Sequence, residues 1–374
     1  MVVYRDKVYG SWLGQIIGNM YGLPYEFKYI DEAGPEPAFD PDYLAKLPRK
    51  FGGAAFDDDD TLLELVNLGI VEAHGFDPTP VQIAAGWTSR LKGGVYVANQ
   101  RALELMRKGT LPPATSDPAV NPFSPWNLAG QFTQEIWGLL APGMSPEAQR
   151  LADLFARVPV HGEAVLAAHW VAILHAEAFA ETDVERLLRT ATEALPKESA
   201  YRRILDDVLA WSAASPDDWR PVRVKIHEKY FARVKKITDQ PPPGRWHQNS
   251  CFINGAMCAL ALRYGKGDLD RTLAIACAAG DDADCNAASI LGVLGVIHGA
   301  SGIPDRWKAP LNDRYRILYL EGYPSEIKIS ETAARIAAAG ERLILAQGGR
   351  KEGKGPAAVY LIPRRPPHPV PLAR

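Results

Sequence analysis

Two runs of carboxylates hold the clearest chemistry in this sequence. Phe56-Asp57-Asp58-Asp59-Asp60-Thr61 leads into an apolar segment, Leu62 to Val71, with helical spacing of its large residues. Gly280-Asp281-Asp282-Ala283-Asp284-Cys285-Asn286 leads into a second, Ile290 to Ile297. Asp and Thr suit a helix start because they cap free N–H groups and face the positive end of the dipole. Seven aspartates exceed what capping needs. No Lys or Arg lies between Lys50 and Arg90, or between Arg271 and Arg306, to neutralise them locally. Brought together bare, the two acidic starts repel; bridged by hard divalent cations such as Mg²⁺, Mn²⁺ or Ca²⁺, they attract. Two capped helices on opposite faces of the protein satisfy the same spacing, and the sequence leaves both readings open.

A helix must deliver each cluster, and a third helix carries an unusual stripe. Val8 to Tyr21 has helical period with Gly10, Gly14, Gly18 and Gly22 at four-residue spacing. Each Gly costs about 1 kcal/mol of helix propensity relative to Ala, and close approach of another backbone is the usual reason for such a stripe. The helix should stop near Gly22-Leu23-Pro24, placing Glu26 in the loop just beyond.

At 374 residues, with 47% hydrophobic and 23% charged residues, the chain can bury a sizeable core as one large domain or two ordinary ones. A net charge of -2 offers no basic field for nucleic acid and no polybasic patch for a membrane. Cys251, Cys258, Cys277 and Cys285 form no C-x-x-C pair, which favours buried free thiols and a cytoplasmic setting. Met1 to Gly10 lacks the apolar stretch of a signal peptide. Cys285 to Pro304 has the length of a membrane span, but its Asn, Ser, His and Gly content reads as a buried helix.

Helical period also covers 78–89, 97–107, 128–140, 146–156, 164–179, 182–194, 197–211, 221–235, 249–264, 268–279 and 333–346. Residues 31–55, 109–127 and 237–245 read as Pro- and Gly-rich loops, and Lys92 to Tyr96 as a short flexible turn. No stretch alternates as a substantial sheet would. Gly348 to Gly355 reads as a polar turn, Ala357 to Ile362 as one short strand, and the Pro-rich end from Pro363 as loosely held. The expected fold is all-α: one large orthogonal helical domain over 1–325, then a small C-terminal part over 326–374 with a helix, a short strand and the tail.

Three segments in order resemble the ADP-ribosylglycohydrolase family, of the dinitrogenase-reductase-activating glycohydrolase type. They are Gly14 through Gly18-Asn19-Met20-Tyr21-Gly22-Leu23-Pro24-Tyr25-Glu26, then Asp58-Asp59-Asp60-Thr61, then Gly280 through Ala287 with Gly292, Gly295 and Gly299 following. The resemblance spans roughly residues 5 to 310. It implies an all-α fold with two adjacent Mg²⁺ ions, Mn²⁺ or Ca²⁺ being alternatives. By position it makes Asp58, Asp59, Asp60, Asp282, Asp284 and Cys285 the metal ligands and Glu26 the catalytic residue. Departures from the family pattern are Asp58 for Thr or Ser, Asn19 for Asp, and Cys285 for Thr. The D-C-N form, with Ile303-Pro304 and Trp307, resembles a subset of the family.

The chemistry the resemblance implies is hydrolysis at the anomeric carbon of an ADP-ribosyl or related ribosyl group. Its oxocarbenium-like transition state needs nearby negative charge, oriented hydroxyls and an activated water. Glu26 then acts as general acid or base, Asn19 falls at the substrate, and Tyr96, Phe123 and Trp126 are candidates for a stacking wall. Phe132 reads as core. A nucleosidase or other small N- or O-glycosidase on the same metals remains an alternative, as does a non-catalytic, metal-dependent ligand-binding relative. The partner in each case is a small molecule or an ADP-ribosylated substrate; oligomeric state is not legible.

Overall fold

The computed structural model describes residues 2–38, 40, 54–353 and 359–371. The glycine stripe meets its reason in it. Helix α1 (Val2–Gly22) lies along a second long helix, Ala283–Gly302, with backbone against backbone. A Cβ added at Gly18 would stand 2.5 Å from the Ala288 nitrogen, and one at Gly22 would stand 2.5 Å from the Asp284 Cα. Gly10 and Gly14 face the backbone of Gly295 and Leu291 in the same way. Only glycine permits this approach. The stripe thus sets how far the second acidic run sits from the rest of the core.

Among the described residues the other α-helices are, in order, α2 (Asp59–His74), α3 (Pro80–Arg90), α4 (Val97–Arg107), α5 (Glu135–Leu140), α6 (Ser145–Ala156), α7 (Ala164–Glu177), α8 (Val184–Glu193), α9 (Ala200–Ala214), α10 (Arg220–Tyr230), α11 (Cys251–Gly265), α12 (Leu269–Ala279), α13 (Ala283–Gly302), α14 (Asp305–Lys308) and α15 (Ile329–Ala346). The fold is all-α, with helices packed around one continuous apolar core. Helix α13 is long and apolar enough to span a membrane by length and composition, yet most of it is buried within this core. All four cysteines are free and buried.

Several elements differ from the sequence reading. The stretch 128–140 is not one helix: Leu128–Gly130 is a 3₁₀ turn, Thr133 adopts φ 65°, and α5 begins only at Glu135. Its apolar run reflects complete burial rather than helical period, since every residue from Trp126 to Leu140 is buried. Helix α10 stops at Tyr230 rather than 235, where Phe231 turns extended and bridges to Trp246. Lys92 to Tyr96 is anchored, with the Lys92 amide donating to Tyr319 O and Leu91 bridging Leu320. Of the loop read over 31–55, residues 39 and 41–53 lie outside the described residues, as do 354–358 at the start of the expected strand.

Among the described residues, sheet is confined to two small pieces. Strand β1 (Ala55–Phe56) pairs in parallel with β2 (Arg314–Arg316), which pairs antiparallel with β3 (Glu326–Lys328); β4 (Arg350–Glu352) and β5 (Val359–Leu361) form a hairpin. Through β3 and α15, residues 326–346 share the main core, with Ile329, Ile336, Leu343 and Ile344 buried and α15 packed on α1 and α5. The Pro-rich end is also tied down. Arg365 exchanges backbone hydrogen bonds with Gly143 and Ser145, the Gln149 side chain pairs with the backbone of His368, and the Val370 amide donates to Ala194 O. The anchoring amides belong to Arg365, His368 and Val370, and Pro366, Pro367 and Pro369 fall between them, where a missing N–H costs no such bond.

Candidate metal centre and active site

Strand β1 ends at Phe56 and passes directly into the first acidic run, so the parallel pairing with β2 fixes where these aspartates begin. The Asp57 amide donates to Arg316 O. The Asp57 carboxylate accepts from the amides of Leu318 (2.6 Å) and Tyr319 (2.9 Å), which removes it from the cluster and fixes the Tyr319 segment. Burial still pushes its carboxyl up to about 6. Asp58 caps α2, accepting from the Asp59 amide at 3.0 Å. Asp60, one residue into the helix, receives a short hydrogen bond from Asn19 Nδ2 on α1.

The second run is held by a different set of contacts. Asn254 on α11 accepts from the Asp282 amide (3.1 Å) and from Asn286 Nδ2 (2.8 Å), pinning the start of α13. Asp281, at φ 57°, turns away from the cluster to pair with His227 Nε2 at 2.9 Å. Its carbonyl accepts from the Phe27 amide at 2.7 Å. The buried Arg223 guanidinium donates to Ala279 O, Tyr29 O and Ile30 O, at 2.7, 2.9 and 3.0 Å. These bonds fasten the loop after α1, and with it Glu26, to the loop that opens α13. Phe27 too has positive φ (51°), a conformation that a non-glycine residue adopts only when its surroundings enforce it.

Five of the seven aspartates and Glu26 therefore converge. Ligand atoms of Asp60, Asp284 and Cys285 lie within 4.8 Å of one another, and so do those of Glu26, Asp282 and Asp284. Asp284 belongs to both groups and stands between them. Asp58 and Asp59 line the same cavity, of about 380 Å³, as Glu26, Asp282, Asp284 and Cys285. Buried oxygens Asp60 Oδ1, Asp282 Oδ1 and Asp284 Oδ1 have no hydrogen-bond partner among the described residues, although such atoms are nearly always paired. Burial, then mutual repulsion, pushes the carboxyls of Asp59, Asp60 and Asp282 well up, and burial followed by Asp58 pushes Asp284 to about 7. Glu26, at the solvent side, is pushed up to about 8 by desolvation, then by Asp284 and Asp58. A set of hard oxygen donors with orphaned lone pairs fits Mg²⁺, Mn²⁺ or Ca²⁺. Cys285 fits less well: burial and the surrounding aspartates hold its thiol protonated, and a thiol is a poor partner for these ions.

The aromatic candidates divide. Tyr96 lines the cavity, whereas Phe123 and Trp126 do not. Trp126 is buried behind the wall, donating to Gln240 Oε1 at 3.1 Å and packing edge-on against His247. Phe132, read as core, is buried but does line the cavity, because the chain breaks from helix around Thr133. Asn19 sits behind the aspartates rather than on the cavity surface. Sequence reasoning missed Phe27, Tyr319 and Asn249. Asn127 Nδ2 donates to Asn249 Oδ1 at 2.6 Å in the cavity wall. No local pattern joins residues so far apart in the chain.

The ADP-ribosylglycohydrolase family profile matches residues 2–341, and the chain belongs to that family. A solved structure titled "ADP-ribosylglycohydrolase-related protein complex" is similar over 92% of this chain and 99% of that one, at 21% identity and a TM-score of 0.58; this likeness concerns the fold alone. No curated protein matches the chain. Family membership indicates a hydrolase.

Proposed function

We propose that this protein hydrolyses a glycosidic bond at the anomeric carbon of a ribosyl group, ADP-ribosyl or related, with divalent cations held between α2 and α13. The observation that carries the reading is Asp284, shared by two groups of ligand atoms at the floor of a cavity that Glu26 also faces. Asp58, Asp59, Asp60, Asp282 and Asp284 would hold the cations, Mg²⁺ fitting the oxygen donors best. When bound, the cations supply Lewis acidity that orients sugar hydroxyls and makes water more nucleophilic. Glu26, at the solvent side of the cavity and beside Asp284, serves as the general acid–base. The remaining carboxylates favour the positive charge that develops on the ring oxygen and anomeric carbon. Tyr96 keeps its phenolic proton, desolvation and then Asp59 pushing it up to about 12, so its hydroxyl is a donor at every working pH.

The test is a hydrolysis panel with metal-replete protein, covering ADP-ribosylated peptides, nucleosides and simple N- and O-ribosides. Release of free sugar that stops with chelator and resumes with Mg²⁺ is the expected result. Tight, metal-dependent binding without turnover of any member would instead support a binding protein.

A further inference from the structure

One turn deeper than the cation ligands, two more carboxyls meet in the core, and no step above uses them. We propose that Glu64 and Glu135 share one proton and act as positioning residues, clamping α2 to α13 and so setting the distance between the two acidic helix starts. The positioning role rests on the divalent-cation reading above.

The first observation is the path the contacts trace. Glu64 follows Asp60 by four residues on α2, and Ser289 follows Cys285 by four on α13, so each lies on the same helix face one turn further in. Glu135 opens α5 and reaches both. Its Oε1 accepts from Ser289 Oγ at 2.5 Å, and its side chain lies in hydrogen-bond contact with that of Glu64. Glu64 Oε1 also accepts from the Ile136 amide at 3.3 Å. A continuous bridge, from α2 through Glu64, Glu135 and Ser289 to α13, therefore ties together the two helices whose starts carry the cation ligands. Stability alone does not call for such a bridge, because well-packed apolar side chains in place of a buried charged pair do as well or better. What a satisfied buried polar contact adds is a fixed geometry.

The second observation is that the bridge needs a proton to close. Both side chains are 1% exposed, and Glu64 Oε2 and Glu135 Oε2 find no donor among the described residues unless one carboxyl is itself protonated. Two ionised carboxylates repel, whereas a carboxyl bonds strongly to a carboxylate. Burial, then the Glu135 charge, pushes Glu64 well up. Burial brings Glu135 to about 7, with the Ser289 bond opposing it, so Glu64 is the proton's main seat. The groups that face the pair from neighbouring elements supply no countercharge. Burial keeps the Cys258 thiol on α11 and the Tyr315 phenol on β2 protonated, and holds His175 on α7 neutral, at about 4. Tyr4 on α1 donates to Leu139 O at the far end of α5, and Arg90 on α3 donates to Val66 O. The aspartates at the starts of α2 and α13 belong to the cation site.

The test compares Glu64→Gln, whose amide brings its own N–H donor, with Glu64→Leu, which fills the space without a bond. Calorimetric titration of Mg²⁺ into chelator-stripped, full-length protein at pH 6.5 should find Glu64→Gln within about twofold of the wild type and Glu64→Leu roughly tenfold or more weaker. Should Glu64→Leu not fold, Ser289→Ala, which frees Glu135 from α13, takes its place with the same expected loss. Melting of the chelated proteins from pH 5 to 9 reads the proton separately. The pair binds protons more readily folded than unfolded, where a Glu titrates near 4.3. Its stabilising effect is present below that value and lost as pH rises through about 7 and beyond, so the wild type should lose stability relative to Glu64→Gln as pH rises to 9. Wild-type Mg²⁺ affinity in Glu64→Leu, or equal losses in Glu64→Leu and Glu64→Gln, overturns the positioning role. A Tm difference between wild type and Glu64→Gln that does not change with pH overturns the shared proton. Wild-type protein that takes up no Mg²⁺ removes the metal reading and the positioning role with it, while the melting comparison still decides the shared proton.

Discussion

Replacing Gly18 by Ala puts the relation between the α1–α13 contact and the metal site to a direct test. The added Cβ would stand 2.5 Å from the Ala288 nitrogen, with the Ala287 carbonyl also in contact, whereas heavy atoms pack comfortably at about 3.5 Å or more. Relief requires a shift of about 1 Å, and both partners are backbone in buried helices. Overpacking on this scale costs about 3 kcal/mol, against a gain of about 1 kcal/mol in helix propensity, leaving about 2 kcal/mol of destabilisation. For 374 residues, an unfolding entropy of about 2.1 cal/mol/K per residue sums to about 0.8 kcal/mol/K, so Tm should fall by about 2–3 °C. Because α13 begins at Asp282–Ala283, the same shift moves Asp284 away from Asp60, and Mg²⁺ affinity should fall about tenfold. Gly93→Ala serves as control: its Cβ would meet only Tyr319 at 3.6 Å. Differential scanning fluorimetry with and without Mg²⁺ reads both effects. A Gly18→Ala protein that melts about 1 °C higher, as propensity alone would give, refutes the close-contact account.

Glu26→Gln should lower turnover of the true substrate by roughly 10²-fold or more while melting and metal content stay near normal; a near-normal rate would return Glu26 to the role of a solvated acid. Cys285→Ser should keep activity and its Mg²⁺ dependence, whereas Asp58→Ala should lose most of both. The reverse pattern in rates and elemental analysis would point to a thiophilic metal. Chelated protein should grow more stable as pH falls. Asp57, near 6, and Asp284, near 7, bind protons more readily folded than unfolded, where an Asp titrates near 3.9. Their stabilising effect is therefore present below about pH 4 and lost as pH rises through about 7. Mg²⁺ should flatten that slope, and a chelated protein whose denaturation midpoint rises steadily from pH 4 to 7 would contradict the buried-carboxylate picture.

The two acidic runs, the glycine stripe and the position of Glu26 were legible because each is local: a cap signal, a period, a chain break. Their convergence was legible only through the family resemblance, since spacing within a chain does not say which helix starts meet. The resemblance leaves Asp57 and Asp281 out of the ligand set, but what they hold instead was not legible in either run. Their partners, the 318–319 amides and His227, are distant in sequence. The wall of the cavity failed for a related reason. Phe132 lies in a fully buried apolar run whose helical period was an accident of burial, and the 3₁₀ turn at Leu128–Gly130 follows from tertiary packing of Gly130 against Ala164. Trp126 looked like a loop aromatic available to a substrate, but its indole nitrogen finds Gln240 more than a hundred residues away.

Titrating Mg²⁺ into chelator-stripped protein, with uptake and melting followed together, tests most directly whether α2 and α13 hold cations between them. The account predicts saturable uptake of about two ions per chain. At a hundredfold excess over Kd for both ions it also predicts stabilisation of about 5.4 kcal/mol, about 2.7 per ion, or a Tm rise of about 7 °C, with Asp284→Asn abolishing most of both. A stripped protein that takes up no divalent cation and melts at the same temperature with and without Mg²⁺ would contradict it.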